Sequence, residues 1–405
     1  MTQNKLDFVP AYLFRKGDFK MANDDKAVKA ALAFVNKFSY KKKEKISSGV
    51  LPLDIVLNGG MELGGCYAIS SPPGGGKTTM SLQVCKHLCD EGRFVVYADI
   101  EQGLKDAQII GAGLEKYLVP INGEAYARFT VVNTLYSYSD FQNYCRSMVT
   151  LKSAGVVPYD AIFADSLSTL VANNILEGDC EAATYAADAR PLSKLIKSIR
   201  PVLGVAGITL FNIVQAASNI NGGQYDPDWI AKVTKAVEHA VDSLLLLEHP
   251  TYNSYKIWGK KKTPDGEIDI EIGYLGKLYT TKARSGLNRI KLIVPMIAGS
   301  GCDNVQYLMN TLLSTGVFVK GTKYYKYNDK DGNEQRIEGE QNYKKFVTEN
   351  YAALVKMMYD LGYYDLTNNA TVTQVATIEP SEIAGASVSQ EELNNEGATE
   401  DEQFI

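Results

Sequence analysis

At 405 residues, 45% of them hydrophobic and with a net charge of −5, the chain is long enough for about two or three domains and a sizeable core. No run of about 18 apolar residues occurs, and the opening Met-Thr-Gln-Asn-Lys-Leu-Asp lacks the apolar centre of a secretory leader, so a cytoplasmic chain without a membrane partner is expected. Six cysteines without a C-x-x-C pair, and three histidines to join them, argue against a zinc site or a disulfide framework.

Apolar spacing of Val28, Ala31, Leu32, Val35 and Phe38 predicts a helix over residues 24–38, whose stripe packs on the chain's own core or on a neighbouring subunit. The Lys-Lys-Lys-Glu-Lys run at 41–45 reads either as a solvated linker or as a DNA or phosphate contact. A short helical run at 51–57 is broken by Asn58-Gly59-Gly60.

The next stretch is the most informative. An apolar run ending at Ile69 passes into Ser70-Ser71-Pro72-Pro73-Gly74-Gly75-Gly76-Lys77-Thr78-Thr79 and then into a helical pattern with Leu82, Val84, Cys85, Leu88 and Cys89 on one side. Strand, glycine-rich loop and helix in that order make a phosphate cradle. Backbone N–H groups and the helix N-terminus face the anion, Lys77 reaches the β- and γ-phosphates, and Thr78 offers a hydroxyl to Mg²⁺. Serine at position 71 departs from the pattern G-x-x-x-x-G-K-[ST], which has glycine there. A nucleoside-triphosphate site is expected over Ser71 to Thr79.

Residues 93–98 read as a buried strand ending in Asp99-Ile100-Glu101, where carboxylates at the carboxyl end of a parallel strand face the ligand crevice. Strands are also expected at 129–132 and at 159–164, the latter ending in Asp165-Ser166, and an Asp so placed can support Mg²⁺ beside Thr78. A strand at 208–214 delivers Gln215 to the same edge. Residues 216–235 are glycine-rich and aromatic, the composition of a long functional loop, and 243–248 resumes a buried strand.

These parts resemble the RecA-type strand-exchange recombinases, and within them the phage enzymes of the UvsX kind, over roughly residues 46–300. The resemblance rests on Ile46-Ser47-Ser48-Gly49 with Leu53-Asp54, the Gly74 to Thr79 loop, Leu82-Gln83-Val84, Asp99-Ile100-Glu101, Asp165-Ser166 and Gln215. It implies an α/β fold: a RecA-like P-loop ATPase core with a mainly parallel central sheet (46–300). Around it stand a short N-terminal helical or oligomerisation segment (1–45) and an acidic disordered tail (371–405); beyond residue 299, where the resemblance thins, the apolar 317–319, the tyrosine-rich 324–327, a turn at 328–333 and a helical stretch at 343–361 read as a small C-terminal α+β region (301–370). The tail carries eight acidic residues and no Lys or Arg, so without it the net charge of −5 becomes +3.

The resemblance further implies that Lys77 and Thr78 bind ATP and Mg²⁺, Asp165 supports the metal, Glu101 orients the attacking water and Gln215 senses the γ-phosphate. Lys282 and Arg284 resemble the basic pair that family members insert into the neighbouring subunit's ATP site, although two basic residues near a sheet edge also read as surface charge. For DNA it implies Tyr225 and Trp229 as stacking groups and Lys232 and Lys235 as phosphate partners in the 216–235 segment. Arg190, Lys194 and Lys197 follow a first DNA loop near 177–190, where the two lysines also read as a solvated helix face. Gln108 stands where the family usually has an aromatic that stacks on adenine. The expected function is ATP-dependent homologous recombination: filaments on single-stranded DNA, pairing with double-stranded DNA, and strand exchange, with single-strand-binding and loader proteins as partners. The alternatives are a RecA-fold ring helicase or DNA motor and an ATP-switched recombination mediator with little turnover.

Overall fold

The computed structural model describes residues 43–121, 123–173, 189–220, 222–223, 226–250, 252–264, 266–284, 288–329 and 332–364, with Ala189, Arg190 and Ala236 as backbone alone. The predicted helix at 24–38, Tyr225 and the acidic tail lie outside these residues.

Lys45–Ile46 (β1) pairs with Met61–Glu62 (β2) around the short helix Leu51–Val56 (α1). Cys66–Ser71 (β3) leads through the glycine loop into Lys77–Asp90 (α2), followed by Phe94–Asp99 (β4), Asp106–Gly111 (α3), Phe129–Val132 (β5), Tyr138–Ser153 (α4) and Tyr159–Asp165 (β6). Ala189–Ala206 (α5) then precedes Thr209–Ser218 (β7), Trp229–Ala231 (β8), Lys235–Ala240 (α6) and Ser243–Glu248 (β9).

The strands β9, β3, β7, β6, β4 and β5 lie side by side in that order, all parallel, with every residue of β3 and β9 buried. Burial on both faces explains why these strands read as unbroken apolar runs. Period two sends Tyr67, Ile69, Val95 and Tyr97 to one core, with α1 and α2, and Cys66, Ala68, Val96 and Ala98 to the other, with α4, α5 and α6. Two covered faces leave the carboxyl edge as the place where polar strand ends collect.

Beyond β9 the sheet turns antiparallel. Lys256–Thr263 (β10) pairs with the long strand Gly266–Ala283 (β11), which also pairs with β9 and with Lys291–Ile297 (β12); Gly301–Cys302 (β13) closes that side. The region after residue 300 holds Asn304–Ser314 (α7), a three-stranded sheet of Val319–Lys320 (β14), Tyr324–Asn328 (β15) and Glu334–Glu338 (β16), then Glu340–Glu349 (α8) and Tyr351–Asp360 (α9). Leu308, Tyr343 and Met358 from this region are buried in the same apolar cluster as Leu53 and Leu82.

Two sequence expectations change. The helical stretch expected at 343–361 is two helices meeting at Asn350, whose φ of −108° is not helical. The segment expected as a loop over 216–235 is partly a hairpin: Ala216–Ser218 continue β7 and pair antiparallel with Trp229–Ala231, and Lys235 already starts α6. Glycine and asparagine at its tip obscure the short strands that flank it.

Candidate functional site

Ser71 ends β3, is buried and has no left-handed φ, so a side chain is tolerated there; its hydroxyl donates to the Pro72 carbonyl at 3.0 Å. The demand for glycine falls instead on Gly75, where a Cβ would collide with the Ser71 hydroxyl, and on Gly76, at φ +80°, where it would collide with the Tyr274 hydroxyl. Gly76 is also the N-cap of α2, so Lys77 and Thr78 open a 14-residue helix whose N-terminus faces the loop. This is the arrangement the glycine-rich motif predicts.

Register brings the polar strand ends together. Asp99 pairs with Asp165 across β4 and β6, and Ser71 pairs with Gln215 across β3 and β7. Thr78 Oγ1 donates to Asp165 Oδ2 at 3.2 Å, and the Tyr97 hydroxyl donates to the same oxygen at 2.7 Å. Asp165 Oδ1 is buried without a partner among the described residues, and burial, the largest influence, raises its pKa above the usual 3.8; the Tyr97 and Thr78 hydroxyls and Lys77 act in the opposite direction. An unpaired buried carboxylate oxygen beside a threonine hydroxyl at a helix N-terminus suits a hard divalent cation, which takes oxygen ligands. The donor set fits Mg²⁺.

Glu101 lies two residues past β4 in a turn held by Asp99, whose carboxylate accepts from Gly103 N at 3.0 Å and Leu104 N at 3.1 Å. The Glu101 amide donates to the Asp165 carbonyl at 3.0 Å, and Glu101 Oε1 accepts from Ser166 Oγ at 2.7 Å and from Gln215 Nε2 at 3.3 Å. Three chain segments thus meet on one carboxylate. Gln108 Oε1 accepts from the Lys105 amide at 2.9 Å, within the first turn of α3. Tyr97 carries no expectation from the sequence, and Ser166 only its place beside Asp165; the signal for Tyr97 is period two, which puts it on the same side of β4 as Asp99.

The candidate DNA residues divide. Lys194 and Lys197 are exposed on α5, while Arg190 is described only as backbone of that helix. Trp229 is half-buried in β8, its amide donating to Glu248 Oε1 at 3.1 Å, and Lys232 and Lys235 are exposed. The Lys232 amide donates to the Gln215 carbonyl at 2.9 Å, so the hairpin base touches the residue beside Glu101. Lys282 Nζ donates to the Glu238, His239 and Val241 carbonyls at the end of α6, and Arg284 pairs with Asp242 at 3.1 Å. Burial, then the neighbouring Arg284, lowers the Lys282 pKa. Within the chain both cations cap α6, a role the sequence did not show.

The family model of the RecA N-terminal domain matches residues 22–231, more than half of the 405. The chain belongs to the RecA family. Similar proteins include RecA of a Nostoc species, 24% identical over 302 residues covering 74% of this chain and 76% of the relative, and RecA of Arthrospira platensis, 24% identical over 292 residues and 72% of each. RecA of a Synechocystis species is 23% identical over 353 residues, covering 82% of this chain and 88% of its own. As a RecA-family protein it is a DNA-dependent ATPase of homologous recombination and strand exchange. Among the described residues no helix is long and apolar enough to cross a membrane.

Proposed function

We propose that this RecA-family chain binds ATP and Mg²⁺ in the crevice described above, with named roles for its residues. Ser71 to Thr79 cradle the triphosphate, Lys77 neutralises the β- and γ-phosphates, and Thr78 with Asp165 holds the metal. The metal supplies charge neutralisation on the phosphate oxygens. Glu101 accepts a hydrogen bond from the attacking water and aligns it. Gln215, whose amide lies at 3.3 Å from Glu101, reports γ-phosphate occupancy to the hairpin that starts at Ala216.

That link between Glu101 and Gln215 is the observation that carries the reading, because it ties the hydrolytic carboxylate to the segment with the DNA candidates. Arg190, Lys194, Lys232 and Lys235 contact backbone phosphates, and Tyr225 and Trp229 stack on bases of single-stranded DNA; duplex DNA is the second substrate. Lys282 and Arg284 leave α6 on assembly and reach the triphosphate of the adjoining copy, so turnover depends on the filament. The protein works in the cytoplasm with single-strand-binding and loader proteins. A finer kinship with phage recombinases is supported by the sequence stretches quoted above.

The test is ATP hydrolysis with and without single-stranded DNA, for the natural protein and for Glu101→Ala. DNA is expected to raise turnover, and the substitution to lower it by about 10²–10⁴-fold with nucleotide and DNA binding retained. Equal turnover in the two proteins would sink the assignment of Glu101.

A further inference from the structure

The hairpin β10–β11 is polarised in charge. β10 carries Lys256, Lys260, Lys261 and Lys262 and no acid, whereas the facing half of β11 carries Glu267, Asp269 and Glu271 and no base. Residues 260–262 and 266–269 are exposed, so both faces stand clear of the core. Trp258, 49% exposed, and Ile268, 48% exposed, add apolar surface along the hairpin.

Cross-strand pairing uses only part of this charge. Lys256 meets Glu271 at 3.2 Å and Lys260 meets Glu267 at 3.8 Å, while Lys261, Lys262 and Asp269 have no ion pair among the described residues. Among the described residues the outer edges are open as well: β10 pairs only with β11, and β12 joins β11 only from Gly273 onward. One edge is basic and the other acidic.

We propose that the hairpins of successive copies lie side by side in the assembly, the lysine edge of one against the carboxylate edge of the next. The occupant is a second copy of this chain because the two edges complement each other within one sequence. The acids offset the lysines along the hairpin, which gives a polyanion little to hold, and edge lysines disfavour addition of an uncharged strand. A two-fold arrangement would set like edges together and is repelled. The contact is therefore head to tail, and a heterologous contact propagates along a filament. The inference rests on the filament reading above and assigns it a second interface, remote from the triphosphate.

An equal mixture of unlabelled and ¹⁵N-labelled protein, assembled on single-stranded DNA with a slowly hydrolysed ATP analogue, is treated with a zero-length carbodiimide and digested. Expected are mixed-isotope peptides joining Lys260, Lys261 or Lys262 to Glu267, Asp269 or Glu271; same-isotope links alone overturn the proposal. In a second arm, K260E/K261E/K262E and E267K/D269K/E271K each raise the protein concentration for half-maximal DNA-stimulated ATPase about tenfold, as loss of a few exposed pairs per contact predicts. A one-to-one mixture restores it, since each variant then presents the edge the other lacks. No rescue on mixing, with mixed-isotope links also absent, overturns the inference while leaving the recombinase reading standing. Failure of the natural protein to assemble on DNA strikes the reading itself, and the hairpin contact falls with it.

Discussion

Tyr97→Phe isolates one of the hydrogen bonds to Asp165, the carboxylate proposed above to support the metal. The hydroxyl donates to Asp165 Oδ2 at 2.7 Å, and phenylalanine keeps the ring and its contact with Phe129. A hydrogen bond to a charged group contributes about 1.5–3 kcal/mol, so the nucleotide-free variant should lose roughly that much stability at neutral pH. The sign of the pH dependence follows from the Asp165 pKa. Burial raises it, so the cost of burying the charge exists above the folded pKa and disappears below it; the Tyr97 hydroxyl lowers it, so its stabilisation is present while Asp165 is ionised and fades as pH falls through that pKa. The difference between the two proteins should shrink at acid pH to that of a neutral hydrogen bond, about 0.5–1.5 kcal/mol. Urea unfolding from pH 3 to pH 8 measures it. An equal deficit at every pH would mean lost packing rather than lost charge stabilisation, and the reasoning would be wrong.

Replacing Lys194, Lys232 and Lys235 together by alanine should flatten the plot of log affinity for single-stranded DNA against log salt by about 2, at roughly 0.7 per phosphate contact; an unchanged slope would show that these lysines face solvent only. Lys282→Ala with Arg284→Ala should reduce DNA-stimulated turnover about 10³-fold with ATP binding by the monomer retained, the scale of a cation supplied in trans, and full turnover in assembled protein would count against that role. Gly76→Ala should cost at least about 1–2 kcal/mol from the left-handed backbone alone, and adding Tyr274→Phe should recover the further part due to the hydroxyl collision, as thermal unfolding of the single and double variants would report. A double variant no more stable than the single would place the collision elsewhere.

The parallel half of the sheet and the phosphate loop were legible because local chemistry determines them. Buried strands such as Ser243–Glu248 read as apolar runs, and Gly-Lys-Thr before an amphipathic helix has few other uses. Glu101 and Asp165 were legible as strand-end carboxylates, but their partners were not, since Tyr97 and Ser166 acquire meaning only through register between β4 and β6. Lys282 looked like a free cation because its partners are backbone carbonyls of α6, which have no signature in the residue types. The β10–β11 hairpin drew no expectation at all; its acids alternate with isoleucine and its lysines run together at 260–262, patterns shared by ordinary surface strands.

Because Gln215 and the hairpin base at Ala216–Ser218 belong to one uninterrupted strand, Thr209–Ser218, their relative orientation is a matter of parity. One residue added between Gln215 and Ser218 would turn the far end of the strand over, sending Trp229 to the opposite side, whereas the same residue added after Asn219 would only lengthen the tip. Homologues should therefore differ freely in the size of that tip and hardly ever in the spacing behind it, as in a ruler whose graduations are fixed and whose handle is not.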